Sequence, residues 1–309
     1  MAGIRIKGFG RSHGECTVTN DDLADIVDTS DKWIREKTGI HSRYFARDLT
    51  NADMACVAAE SALARANVPR ERIGLLLVCT FTPDEATPSV ACQVAGRLGL
   101  REDLMAMDLN GACTGFIYGC ALADAMLAAG RAEYALIIGS EKISPLMDMR
   151  DRGTCVLFGD GAGAVVVSRE EDGAFESIAG CDPDEDVLHC DRFDPAIRMK
   201  GQEVYRFAVS KIVECTDRML GLTGTTAGDI DYYICHQANE RIIDSAAGKT
   251  GIDRKKFFKN LYSYGNTSAA SIPIALCEMY ENHMLKDGMT VICTGFGAGL
   301  TYGSMMIKI

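Results

Sequence analysis

Two hydrophobic periods alternate along the chain. Short unbroken apolar runs recur, among them "IGLLLVCT" (73–80), "YALIIGS" (134–140), "GAVVVS" (163–168) and "MTVICTG" (289–295). Runs of this length, bounded by turn residues, predict buried strands. Between them, "NADMACVAAESALARANV" (51–68) and "PSVACQVAGRLG" (88–99) place apolar residues at helical spacing, the second with Pro near its start. "LMAMDL" (104–109) predicts another strand, and the segment after Cys113 a long amphipathic helix. The N-terminal "MAGIRIKGFG" alternates as a strand does. A helix over 203–220, a strand "DYYICHQ" (231–237), helices after Asn239 and after "YSYGNTSAAS", and strands 289–295 and 301–309 continue the rhythm. This order predicts an α/β protein with buried, largely parallel strands. Residues 181–202 lack clean periodicity and read as a connecting or lid-like segment.

The two halves echo each other. "FGDGAGAVVVS" (158–168) and "FGAGLTYGSMM" (296–306) are both Gly-rich turns entering a strand, at matching places. This reads as a weak internal duplication, with a chance match of Gly-rich loops as the alternative. A duplication gives Cys113 and Asn266 equivalent positions, each between a strand and the following helix. Those helix starts would then face each other across one pocket.

Composition narrows the picture. With 309 residues, 47% of them hydrophobic, the chain can bury a large core in one domain or two tightly joined ones. A net charge of -11 argues against direct nucleic-acid binding, which leaves a basic footprint. Thirteen cysteines are scattered, mostly in apolar runs and without a CxxC pair, which fits reduced cytosolic thiols and neither a disulfide framework nor a zinc site. No apolar run approaches the roughly 20 residues of a membrane helix, and the N-terminus lacks a signal peptide's apolar centre.

Three positions carry candidate chemistry. Cys113 follows "NGA" at the mouth of a helix, where unsatisfied N–H groups and the helix dipole favour a thiolate. Small neighbours, Gly111, Ala112, Thr114 and Gly115, leave room for a substrate. A buried structural cysteine fits a Cys-rich chain as well. His236 stands at the end of an apolar strand, where open α/β sheets build sites, or it is a satisfied core histidine. Asn266 precedes a Thr/Ser-rich helix start, where Asn commonly caps or turns.

Taken together, "NGACTGF" (110–116), "HQAN" (236–239) and "GNTSAAS" (265–271), with "GFGAG" (295–299), closely resemble the β-ketoacyl-acyl carrier protein synthase III family. "TSDKWIREKTGI" (29–40), "TPSVACQ" (87–93) and the Gly-rich segment 151–164 extend the resemblance over essentially the whole chain. It implies a thiolase-like fold of two duplicated α/β halves, 1–170 with the nucleophile and 171–309 with His and Asn, in a layered αβαβα core. It also implies a Cys113, His236, Asn266 triad. Cys113 would take an acyl group from acyl-coenzyme A, and malonyl on acyl carrier protein would then lose CO2 and attack it. That chemistry needs donors for an enolate oxygen rather than a base, a role suited to His236 and Asn266. The backbone N–H groups of Cys113 and Ala298 would form a second oxyanion hole, with Ala where the family often has Gly.

The resemblance further implies that Trp33 and Arg152 sandwich the adenine of coenzyme A, with Thr29 nearby. Lys37 replaces a frequent Arg near the phosphates, keeping charge but losing the bidentate fork. Asn239 would meet the pantetheine arm, and Met199 and Phe296 would line the site. Thr87, often Phe in acetyl-preferring members, would reach into the neighbouring subunit's acyl pocket of a homodimer and leave room for longer or branched starters. Arg241 with Lys255 or Lys256, from a basic run at 241–259, would dock the acidic carrier protein, although a solvated helix face explains that run equally. No cofactor or metal is implied, since the thioesters are substrates. A starter-loading enzyme of specialised-metabolite, polyketide-type biosynthesis shares the triad, and a non-catalytic partner subunit normally lacks part of it. A degradative thiolase needs a cysteine in the C-terminal loop, where "TGFGAGLT" has none. Reading "GDGAG" as a phosphate loop fails for want of a Walker lysine and a preceding strand.

Overall fold

The computed structural model describes residues 2–191, 193 and 196–309. In chain order the elements are β1 (Gly3–His13), β2 (Cys16–Thr19), α1 (Asn20–Ala24), α2 (Asp31–Thr38), β3 (Ser42–Phe45), α3 (Asn51–Ala66), β4 (Ile73–Cys79), α4 (Val90–Leu98) and β5 (Met105–Leu109). There follow α5 (Gly115–Ala128), β6 (Tyr134–Glu141), β7 (Gly161–Glu170), β8 (Phe175–Cys181), β9 (Leu188–Cys190), β10 (Ile197–Met199) and α6 (Gly201–Thr223). The chain closes with β11 (Tyr232–Cys235), α7 (Glu240–Thr250), α8 (Leu261–Tyr264), α9 (Ser271–Glu281), β12 (Thr290–Gly297) and β13 (Thr301–Lys308).

Two sheets form the frame. One has the order β1-β7-β6-β4-β5 and the other β11-β12-β13-β8. They share one plan. β5 and β6 flank β4 in parallel while β7 and β1 run antiparallel, and β11–β12 is parallel while β13 and β8 are antiparallel. Both sheets are therefore mixed rather than largely parallel, because each Gly-rich turn leads the chain back beside the strand it has just left. An isolated parallel bridge, Tyr233 to Phe257, stands beside β11 where the first sheet has β5.

Helices fill three layers around these sheets. The outer faces are covered by α3 and α4 on one side and by α6 and α7 on the other. Between the sheets lie α5 and α9, whose Phe116, Ile117, Leu127, Ile272 and Leu276 pack against both inner faces. The helix after Cys113 is thus apolar on nearly all sides rather than amphipathic, as burial from two directions requires. Each fully buried large side chain there contributes about 1.5–3 kcal/mol relative to exposure.

Local chemistry sets the helix ends. Thr50 and Asp53 form a capping box on α3, worth about 1 kcal/mol. Gly10 in β1 lets α3 approach, since a Cβ there would sit 1.9 Å from the Ala58 carbonyl oxygen. α4 starts at Val90 with Ser89 as its cap, so Pro88 precedes the helix instead of lying in its first turn. Within segment 181–202, β9 and β10 pair antiparallel; Arg192, Asp194 and Pro195 lie outside the described residues.

Candidate active site

Two turns, one from each half, meet between the sheets. After β5, residues Ala112–Thr114 form a 3-10 turn that leads into α5. Asn110 Oδ1 accepts the Ala112 N–H at 3.2 Å, and Ala112 has φ 45°. Before α9, Ser268–Ala270 form the same turn: Asn266 Oδ1 accepts the Ser268 N–H at 2.9 Å, and Ser268 has φ 48°. The true register therefore pairs Asn110 with Asn266 and Cys113 with Ala269. This corrects the expected equivalence of Cys113 and Asn266, which followed the spacing to the helix and not the Asn side-chain turn.

Close backbone contacts bring these turns together. A Cβ on Gly139 of β6 would lie 2.3 Å from the Ala269 carbonyl oxygen, so the second turn rests directly on the first sheet. A Cβ on Gly297, at the end of β12, would lie 2.8 Å from Cys113 Cβ and 3.1 Å from its sulfur. The second sheet thus reaches the sulfur through a position that only glycine can fill.

A cavity of about 380 Å³ opens above this junction, with Cys113, His236 and Asn266 all in its wall. His236 is buried, and burial pushes its imidazole down to about 3, so the ring is neutral. Its Nδ1 lies 2.7 Å from Ser271 Oγ, which also accepts the Gln237 N–H at 3.4 Å. Ser271 Oγ is placed to donate to Nδ1, the arrangement in which Nε2 carries the hydrogen. Asn266 donates its backbone N–H to Leu157 O at 2.8 Å. With Oδ1 held by Ser268, the amide presents its NH2 end as the donor.

Cys113 departs from the sequence expectation. It is 8% exposed, and burial pushes its thiol up to about 12, against the lowering expected from a helix start. The 3-10 turn sets Cys113 ahead of α5, and its burial away from water disfavours the thiolate.

The remaining candidates divide by position. Trp33, Lys37, Arg152, Met199, Asn239, Phe296 and Ala298 line the same cavity. The Arg152 guanidinium lies 4.7 Å from the Trp33 ring centre and donates to Asp28 O at 2.9 Å. A ring between them requires Arg152 to swing away. Asn239 is committed at both ends of its amide, capping α7 through the Arg241 N–H at 2.9 Å and donating to Lys37 O at 3.0 Å. Thr29 Oγ1 is buried and has no hydrogen-bond partner among the described residues. Thr87 is exposed on the loop before α4 and does not line this cavity. Arg241 and Lys255 are exposed, but Lys256 Nζ turns inward to the carbonyls of Ala227, Gly228 and Ile230 at 3.0, 3.2 and 2.6 Å. Its ammonium caps the chain before β11, which corrects its reading as a docking residue.

Sequence reasoning missed Ser268, Ser271 and Glu141. The two serines stood within "GNTSAAS", with a helix-start signal that masked their contacts. Glu141 is a fully buried carboxyl ending β6, and its only sequence signal was an acid directly after an apolar run.

A thiol on a helix-entry turn, faced by two fixed donors between duplicated sheets, defines a condensing enzyme of the thiolase-like class. The comparisons agree. Residues 107–183 match the family described as 3-oxoacyl-[acyl-carrier-protein (ACP)] synthase III, and residues 220–309 match its C-terminal family. A β-ketoacyl-[acyl-carrier-protein] synthase III of Clostridium acetobutylicum is 42% identical, over 100% of this chain and 99% of its own. The solved 3-oxoacyl-[acyl-carrier-protein] synthase III of Aquifex aeolicus superposes with a TM-score of 0.96 at 42% identity, covering 99% of this chain and 100% of its own. A priming β-ketosynthase from the R1128 polyketide pathway gives a TM-score of 0.95 at 31% identity, covering 99% and 96%. The chain belongs to the β-ketoacyl-acyl carrier protein synthase III family. Among the described residues no helix is long and apolar enough to cross a membrane.

Proposed function

We propose that this chain initiates fatty-acid synthesis by decarboxylative Claisen condensation of an acyl-coenzyme A with malonyl-acyl carrier protein, giving a 3-oxoacyl-carrier protein. The reading is carried by one observation: Cys113, His236 and Asn266 share one cavity wall. Cys113 sulfur attacks the acyl thioester as its S–H bond breaks, coenzyme A leaves and takes up that proton as its thiol, and the acyl group stays on Cys113. The N–H groups of Cys113 and Ala298 hold the oxyanion in that step. Malonyl thioester then loses CO2, and the electron pair moves onto its thioester oxygen. His236 Nε2–H and Asn266 NH2 donate to that oxygen, each worth roughly 10²–10³ in rate. The resulting carbanion attacks the acyl-Cys113 carbonyl and expels the thiolate.

Trp33, Arg152, Lys37 and Thr29 serve the nucleotide end of coenzyme A at the mouth, with Asn239, Met199 and Phe296 along the arm. The enzyme works as a cytoplasmic homodimer without cofactor or metal. Support for the dimer comes from β5, an edge strand with Met105 47% exposed, beside an open cavity of about 1040 Å³. Arg241 and Lys255 steer the acidic carrier. The R1128 relative favours a second reading, starter loading in polyketide-type synthesis, and Thr87 in place of a Phe suits a bulkier starter in either pathway.

Intact-protein mass spectrometry with acyl-coenzymes A from acetyl to medium and branched chains tests the proposal. A mass gain for one or more starters, absent in Cys113→Ala, is expected. No gain with any starter overturns it and revives a non-catalytic partner subunit.

A further inference from the structure

Arg43 of β3 is fully buried. Burial lowers its guanidinium to about 10, which leaves it charged at neutral pH. Among the described residues its hydrogen-bond acceptors are two backbone carbonyls and an amide, and none is a carboxylate. Nη2 donates to Val156 O at 2.7 Å, and Nη1 to Asn20 Oδ1 at 2.8 Å and Val18 O at 3.4 Å. A charge kept from water without a counter-charge is costly unless such bonds hold it. Asn20 is itself anchored, donating to Asp31 Oδ1 at 2.9 Å and Ile40 O at 2.8 Å.

Val156 opens the segment that fixes Asn266. Leu157 O accepts the Asn266 N–H at 2.8 Å, and the Gly159 N–H donates to Asn266 O at 3.0 Å, which makes a parallel bridge at Phe158. The far end of this segment is tied to β3 at Asp160. Its N–H donates to Tyr44 O at 2.8 Å, and its carboxylate accepts the Ala46 N–H at 2.7 Å. The near end meets β3 through the Arg43 side chain. The stem of Arg43 also packs beneath both glycines beside the bridge. A Cβ on Gly159 would lie 3.0 Å from Arg43 Cβ, and one on Gly265 would lie 3.3 Å from it. Arg43 does not line the active-site cavity, whereas Val156, Leu157 and Phe158 do.

We infer that Arg43 is a positioning residue for Asn266. By holding Val156 O it sets the place of the segment that carries the Asn266 backbone, and with it the aim of the Asn266 NH2. This inference rests on Asn266 being an enolate donor in the proposed condensation. Arg43 acts on the step that uses that donor. It does not act on attack by Cys113, whose turn is carried between β5 and α5. A reacting group displaced by about 1 Å can cost on the order of 10² in rate, so a loosened segment is felt without any lost contact to substrate.

The test uses Arg43→Lys, which keeps a cation but loses the fork that spans Val156 O and Asn20 Oδ1. Amide hydrogen exchange is read first, on the resting chain. The Asn266 and Gly159 N–H groups should exchange about tenfold faster than in the wild-type chain, with those of β4 and β6 within about twofold. CO2 release from malonyl-acyl carrier protein is then compared with acyl loading of Cys113. Release should fall about tenfold while loading stays within about threefold. In an Asn266→Ala chain, Arg43→Lys should lower release by less than about twofold further, because the amide it aims is gone. A residue that merely supports the fold would not give that non-additivity. Equal losses in both steps, a full further loss in Asn266→Ala, or unmoved exchange at Asn266 overturns the inference. A wild-type chain that releases no CO2 contradicts the condensation reading instead, and the exchange result still decides whether Arg43 fixes Asn266. Should Arg43→Lys not fold, Asn20→Ala removes the anchor of Nη1 and is expected to shift exchange and release in the same directions. Unmoved exchange at Asn266 in that variant overturns the inference equally.

Discussion

The turn at 110–115 and the turn at 266–271 have the same backbone and opposite chemistry. Each begins with an Asn whose Oδ1 accepts the N–H two residues on, and each continues through a positive φ at Ala112 or Ser268. Each then enters a helix of the middle layer. The first presents a sulfur, and its counterpart in the second is the methyl of Ala269. The second presents the Asn266 amide, the Ser268 hydroxyl and the Ser271 hydroxyl that orients His236. On the proposed reading a duplicated frame is divided, one copy for attack and the other for receiving developing charge. The turn conformation is shared because both must bring side chains to the same seam between sheets.

The largest effect is expected on the attacking side. Cys113→Ala should lower condensation by on the order of 10⁴ or more, measured as 3-oxoacyl product. On the receiving side, Asn266→Ala should lower condensation by roughly 10²–10³ while acyl loading of Cys113 stays within about threefold. Equal loss in both steps would blur the division between the turns.

A pH effect separates the halves more gently. Burial pushes the His236 imidazole down to about 3 in the folded chain, against an ordinary value of 6.5. The unfolded state binds more protons between these values, so the contribution is complete above about pH 6.5 and is lost as pH falls towards 3. Thermal melts should show this acid-side loss weakened in His236→Phe. Glu141 has the opposite sign. Burial pushes its carboxyl up to about 7, above the ordinary 4.5, so its contribution is complete below about pH 4.5 and is lost as pH rises through 7. Glu141→Gln should flatten that loss.

The smallest effect lies at the mouth. Arg152→Ala removes a cation–π contact worth about 0.5–1 kcal/mol at an exposed site and leaves Trp33 open. KM for acyl-coenzyme A should change by less than about tenfold in either direction, with kcat unchanged.

Much of this was legible in the sequence because it depends on local signals. Apolar runs located β4, β6 and β12, and the family motifs located Cys113, His236 and Asn266. The antiparallel strands were not legible, since a buried apolar run has the same composition in either direction. The middle layer came only from the family resemblance, because α5 taken alone reads as an ordinary helix until two sheets enclose it. Lys256 and Glu141 show the same limit at single residues. A lysine in a basic run gives no sign that it caps three carbonyls, and an acid after a strand gives no sign that it turns inward.

The most direct test of the division is decarboxylation of malonyl-acyl carrier protein without an acyl acceptor, comparing Cys113→Ala with the pair His236→Ala/Asn266→Ala. The account predicts that Cys113→Ala releases CO2 within about tenfold of the wild-type chain, because both enolate donors remain, while the double variant loses it by at least roughly 10². Loss of CO2 release in Cys113→Ala, or its survival in the double variant, would contradict the account.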